Sequence, residues 1–172
     1  MASGSDPNAR HDFGPDFLSQ EIPKGRETSR TVQRVVGKTF RKRVHESQVP
    51  FLVQFCDGAC FDDERGTLAP LLEIAEMLDH KSSGKVATFN YILNDMEKGL
   101  EHYRDGAVDV GTGKLPKTFL AWIPGKKERE GGAAVKHYGG SVTKAGMIEW
   151  LEMLQVPLGL TKSDRNSRKD EL

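Results

Sequence analysis

The feature that most constrains the fold of this chain is a run of nearly continuous apolar residues, PFLVQF, at Pro50 to Phe55. Such a run suits a β-strand that is covered on both faces inside a sheet. It ends at Cys56, and after a polar loop leucines and alanines recur at helical spacing, which predicts the main helix from Glu64 to about His80. Pro70 should either kink this helix or occupy its first turns.

The rest of the chain alternates short apolar strands with amphipathic helices. Strands are predicted at Thr31 to Val36, Val86 to Ile92, Lys117 to Ile123 and Ala134 to Tyr138, the last two as an antiparallel hairpin around the glycine-rich turn Pro124 to Gly132. Helices are predicted at Lys38 to Ser47, from Asp95 as cap to Tyr103, and through Met147 to Leu154, with a loop over Asp105 to Lys114. The order βαβαβαββα predicts an α/β fold, a mixed central sheet with helices on both faces.

Length and charge exclude several classes of protein. The 172 residues correspond to one domain with tails, and 25 Lys+Arg balance 25 Asp+Glu. Binding to nucleic acid or to an anionic membrane surface needs a cationic excess, which this chain lacks. Its apolar runs are far shorter than the roughly 20 residues of a membrane span, so we expect no membrane insertion.

No motif indicates a metal or a cofactor. The five histidines show no metal-ligand spacing, and Gly111-Thr-Gly113-Lys114 is too short for a phosphate-binding loop and follows no clear strand. Two cysteines form neither a disulfide framework nor a four-ligand zinc site. We therefore expect a protein without cofactor or metal, and the two cysteines need a local explanation.

The sequences at the two ends of the chain indicate the cellular compartment in which the protein is found. The last four residues, Lys169, Asp170, Glu171 and Leu172, are the address that retains soluble proteins in the endoplasmic reticulum through a retention-signal receptor. Met1 to about Arg10 is small and polar, unlike a signal peptide, so we expect a mature form or an excised piece with non-native residues at its front. The expected organisation is a disordered segment over 1–16, one domain with its linker over 17–156, and a flexible tail over 157–172.

Five short segments, taken in order, resemble a known family. They are FLSQEIP at Phe17 to Pro23, VVGKTF at Val35 to Phe40, FLVQFC at Phe51 to Cys56, LAP at Leu68 to Pro70 and YGG at Tyr138 to Gly140. With the retention tail, the chain resembles the C-terminal thioredoxin-like domain of protein disulfide isomerases over roughly Phe17 to Leu154. The resemblance implies a thioredoxin-like fold, thiol-disulfide interchange, and unfolded or disulfide-containing client polypeptides as partners in the lumen of the endoplasmic reticulum.

The active site departs from that family's Cys-x-x-Cys motif. Counting forward from the strand, the family spacing places the attacking cysteine at Cys60 and the resolving position at Asp63; counting backward from Leu68 gives Asp62 and Arg65. Neither count leaves a second cysteine in place. Cys60 is then either an activated thiol at a helix start or an inert loop residue. Cys56 is either a small buried hydrophobe or the partner of Cys60 in a disulfide.

Further positions follow from the same resemblance. Gln54 stands where the family has a buried glutamate that moves the resolving cysteine's proton, and a glutamine cannot take that role. Pro116 corresponds to the family's cis-proline, with Leu115, Phe61 and Trp122 as neighbouring apolar contacts for a peptide.

Two hypotheses on function remain open. One is a binding module that holds clients without redox turnover. The other is an isomerase or mixed-disulfide trap using Cys60, resolved by Cys56 or by a client thiol.

Overall fold

A computed structural model describes residues 13–23, 32–56, 68–110, 118–139 and 143–160 of the chain. Its strands are β1 (Val32–Arg34), β2 (Phe51–Cys56), β3 (Lys85–Asn90), β4 (Thr118–Ile123) and β5 (Lys136–Tyr138). Its helices are a five-residue π-helix (Arg41–His45), α1 (Leu68–His80), α2 (Glu101–Val110), α3 (Lys126–Glu130) and α4 (Lys144–Met153). Among these described helices, none has the length and apolar character needed to cross a membrane.

The five strands form one mixed sheet in the order β1-β3-β2-β4-β5. Strand β2 is parallel to β3 on one side and antiparallel to β4 on the other, and β4 and β5 form the predicted antiparallel hairpin. Every residue of β2 is buried. The apolar run therefore lies at the centre of the sheet, as its lack of polar alternation predicted.

Side chains that alternate along the strands form two cores, one on each face of the sheet. The face under the π-helix and α2 is aromatic and contains Phe40, Phe55, Phe89, Tyr103 and Phe119. The opposite face is mainly aliphatic and packs against α1 and α4. Leu52 belongs to the aliphatic face, and since strand residues two apart share a face, Gln54 and Cys56 lie there as well.

The prediction for residues 95–110 was wrong in two respects, and residues 111–114 of the predicted loop lie outside the described residues. Asp95 does not begin a helix, because its carboxylate accepts a hydrogen bond from the Leu18 amide at 2.8 Å and so holds the N-terminal segment. Helix α2 begins six residues later, where the Glu101 carboxylate accepts from the Gly99 amide at 2.7 Å. Residues 105–110, predicted as loop, are helical. A Cβ on Gly106 would lie 2.5 Å from the His137 ring, so this glycine allows close packing of the helix on β5.

The bounds of the other helices and strands differ less from the predicted ones. The hairpin turn contains the short helix α3, and the predicted helix over 38–47 is the π-helix, with Phe40 and Val44 buried as expected. Pro70 lies in the first turn of α1. Leu158 is buried in the aliphatic core, and Phe13 contacts the Phe17 ring with centroids 4.6 Å apart.

Candidate functional site

Cys56 is the last residue of the central strand and has no exposed surface. It is disulfide-bonded, and the one other cysteine in the sequence is Cys60, which lies outside the described residues. Its sulfur is 3.6 Å from the Phe89 carbonyl oxygen. A disulfide sulfur carries no hydrogen to donate, so in this state the approach is a packing contact. The Cys56 carbonyl accepts from the Tyr91 amide at 3.0 Å, which fixes the end of β2 against the chain that follows β3.

Gln54 lies two residues before Cys56 on the same face and is also fully buried. Neither its amide nitrogen nor its amide oxygen has a hydrogen-bond partner, and the same holds for the hydroxyl of Thr88, its register neighbour on β3. Buried polar groups in native proteins are nearly always hydrogen-bonded, and exceptions cluster at functional sites or mark internal water. The side chains of Gln54 and Thr88 therefore form a buried polar pair without ionisable groups, close to the Cys56 end of the sheet. We call this pair the polar spot.

The side chains that strands β2 and β3 supply limit the chemistry at the polar spot. Strands β2 and β3, FLVQFC and KVATFN, contain no acidic residue, and the one lysine is at the exposed, opposite end of β3. A glutamine amide neither takes up nor releases a proton near neutral pH. No side chain of these two strands can therefore serve as a general acid or base for sulfur chemistry at Cys56.

Replacing Gln54 by leucine is expected to stabilise the domain by about 1–3 kcal/mol, because two buried polar atoms without partners are removed. The free energy of unfolding would be measured by urea titration. The matched control is Gln48→Leu at an exposed position, for which a change within about 0.5 kcal/mol is expected. Destabilisation by Gln54→Leu would show that the amide is satisfied in solution and holds the site together.

A second group of polar side chains lies at the other end of the sheet. His45 Nδ1 is 2.7 Å from the Tyr103 hydroxyl, and the Arg129 guanidinium donates to the carbonyl oxygens of His45 and Pro124. Burial, and then the positive charges of Arg129 and Arg41, lower the pKa of His45 from its ordinary 6.5. Burial raises the pKa of Tyr103. This cluster connects the π-helix, α2 and α3 and has no part in the chemistry at Cys56.

Several predicted site residues lie outside the described part of the chain. They are Cys60, Phe61, Asp63, Leu115, Pro116 and the tail Lys169 to Leu172. The proposed cis bond before Pro116 therefore stays a prediction. Trp122 is described: it pairs with Leu52 in the sheet and is buried in the aliphatic core, so it is a packing residue.

Two exposed residues near Cys56 were missed from the sequence. Ile92 and Leu93 follow β3 and are 54% and 45% exposed, although Ile92 was predicted to end a strand. Asn90, which closes a turn by accepting from both of their amides, is the signal that could have placed them in a loop.

The parallel β1-β3-β2 unit, the β4–β5 hairpin and helices on both faces define a thioredoxin-like fold. The solved structure of chloroplastic thioredoxin z is similar to this chain, with a TM-score of 0.51 and 15% identity, over 75% of this chain and 98% of that one. The Trx4 domain of ERdj5 gives a TM-score of 0.48 and 12% identity, over 74% of this chain and 97% of that one. No family model and no curated protein matches the sequence. At 15% identity the likeness to thioredoxin z is one of fold.

Proposed function

We propose that this chain is a domain of the protein disulfide isomerase type that binds client polypeptides in the lumen of the endoplasmic reticulum and does not turn over dithiols efficiently. The observation that carries the proposal is the buried pair of Gln54 and Cys56, a redox position with no titratable neighbour on its strands. The thioredoxin-like fold and the terminal Lys169 to Leu172 support it.

The burial of Cys56 determines which exchange steps are feasible. An external thiolate must reach the sulfur that it attacks, and the Cys56 sulfur has no exposed surface. Attack is therefore restricted to the partner sulfur, and it expels Cys56 as a thiolate into a buried site. Burial disfavours that negative charge, and no acid on β2 or β3 can protonate it. Each cycle of reduction is slow for this reason.

The disulfide at Cys56 favours a second candidate function. If the partner of Cys56 is Cys60, a client thiolate that attacks Cys60 forms a mixed disulfide and releases Cys56 as a thiolate. Cys56 could then reverse that step, which would make the domain a reversible trap for clients with free thiols. This function needs exchange at one sulfur and no oxidation of a client through a Cys-x-x-Cys pair.

Insulin reduction and scrambled-ribonuclease assays separate these functions. We expect reductase activity on the order of 100-fold or more below that of a Cys-x-x-Cys enzyme, the usual cost of losing a positioned proton donor. Residual isomerisation should disappear in Cys60→Ala and persist in Cys56→Ala, while peptide binding survives in both variants. Turnover near that of a Cys-x-x-Cys enzyme, lost equally in both variants, would show that the two cysteines are a working redox pair and refute the proposal.

A further inference from the structure

Exposed apolar side chains concentrate at the Cys56 end of the sheet. Of the five large hydrophobic side chains exposed in the part of the chain that the structure describes, four are on two neighbouring segments: Leu18, Ile22, Ile92 and Leu93. The fifth, Met153, is on α4. Single exposed hydrophobics are ordinary, but a group of them marks an interaction surface. We call the four residues the apolar platform.

The part of the platform that follows β3 is held in place by hydrogen bonds. The Asn90 side-chain oxygen accepts from the amides of Ile92 and Leu93, both at 3.0 Å. The Asn94 amide group donates to the Asn90 carbonyl at 3.0 Å and closes the turn. Two large aliphatic side chains are thus presented to solvent on a turn with a fixed backbone, which lowers the entropy cost of binding a partner.

Asn94 also attaches the N-terminal segment to this turn. It is fully buried, its side-chain oxygen accepts from the amides of Gln20 and Gly37 at 2.8 and 3.0 Å, and its nitrogen donates to the Gln20 side chain at 2.8 Å. The backbones of Leu18 and Asp95 pair directly, with the Asp95 amide donating at 2.7 Å. Leu18 and Ile22 are therefore on a segment that is fixed beside Ile92 and Leu93.

The platform is continuous with the disulfide site. Asn90 is in register with Cys56, and the amide of Tyr91 donates to the Cys56 carbonyl. One residue further along the chain, the platform begins with Ile92. A polypeptide that lies on the platform thus passes close to the end of β2.

Charged groups around the platform indicate which polypeptide fits. Asp16 and Glu21 are exposed on the N-terminal segment, on either side of Leu18 in the sequence. The Asp95 carboxylate accepts from the Leu18 amide, and the backbone amide of Lys38 donates to the Ser19 hydroxyl. Within the described residues 13–23 the charged side chains are both carboxylates, which favours a partner with positive charge and disfavours an anionic lipid surface.

We infer that the platform is the docking surface for an extended apolar polypeptide segment that carries lysine or arginine, held next to the Cys56 disulfide. The inference rests on the proposed client-binding function and assigns its contact residues. The aliphatic side chains of the platform bury apolar side chains of the polypeptide. The carboxylates of Asp16 and Glu21 attract its lysine or arginine residues, and the turn closed by Asn90 keeps Ile92 and Leu93 exposed to it.

The test is binding of a fluorescein-labelled peptide of alternating leucine and lysine, measured by anisotropy on the full chain. The double variant Ile92→Ser/Leu93→Ser should bind it roughly tenfold more weakly or worse, because two central contacts are lost. Met153→Ser is the matched control, since it removes an exposed hydrophobic side chain away from the platform, and it should bind like the wild type. A leucine and glutamate peptide should bind more weakly than the lysine peptide.

The outcomes separate the inference from the proposed function. Because Ile92 and Leu93 are half exposed, the double variant should keep its thermal midpoint, and circular dichroism checks this. Equal peptide binding by the wild type and the double variant would refute the platform as the docking surface and leave the proposed client binding intact. Failure of the wild type to bind either peptide would overturn both. Dimerisation of the wild type in sedimentation, abolished in the double variant, would assign the surface to a second copy and refute docking of a client.

Discussion

Replacing Phe55 by alanine should remove a large share of the stability of this domain. Phe55 is fully buried on the central strand, and its ring contacts Phe40, Phe89 and Phe119 with centroids 6.4, 5.7 and 5.3 Å apart. Truncating a buried phenylalanine leaves a cavity and costs about 3–5 kcal/mol. A domain of this kind has about 5–15 kcal/mol in total, so the variant should be much less stable than the wild type.

Urea titration with far-ultraviolet circular dichroism measures this loss. Met153→Ala is the control, because Met153 is 75% exposed and its truncation should change stability by no more than about 0.5 kcal/mol. A loss below about 1.5 kcal/mol for Phe55→Ala would contradict a shared aromatic core on this face of the sheet. Since Phe55 immediately precedes Cys56, the same packing determines where the disulfide lies.

The central strand could be predicted because its signal is local. A run of apolar residues without alternation fits a strand covered on both faces, and both clusters of the core do cover β2. Residues 95–110 were mispredicted because their structure depends on distant partners. Asp95 is bonded to Leu18, 77 residues away, and Gly106 is accommodated in α2 by its proximity to His137 on β5.

The apolar run predicts a buried strand around Gln54 and Cys56, and the structure has both residues fully buried. The state of their side chains could not be predicted in the same way. The Gln54 side chain has no hydrogen-bond partner, although Gln54 lies beside its register neighbour Thr88. Thr88 belongs to another strand, so the sequence around Gln54 does not show this. The exposure of Ile92 and Leu93 depends on the Asn90 turn, a side-chain interaction that apolar periodicity does not report.

Deleting Lys169 to Leu172 is expected to convert the protein from a retained to a secreted form, which tests the proposed compartment. A receptor reads these four residues at the very end of a chain, so their loss should abolish recognition without disturbing the fold. The last buried residue in the described part of the chain is Leu158, well before the deleted segment. The measurement compares cell lysate with medium by immunoblot, after expression in cultured cells behind a cleavable signal peptide.

The matched control removes four residues from the same tail and keeps its end. Deleting Thr161 to Asp164 shortens the chain equally and leaves Lys169 to Leu172 at the terminus, so this variant should stay in the lysate with the wild type. Retention of both deletion variants would show that misfolding or another contact holds the chain in the cell. Secretion of the wild type itself would refute retention by this tail and, with it, the luminal setting in which the proposed client binding takes place.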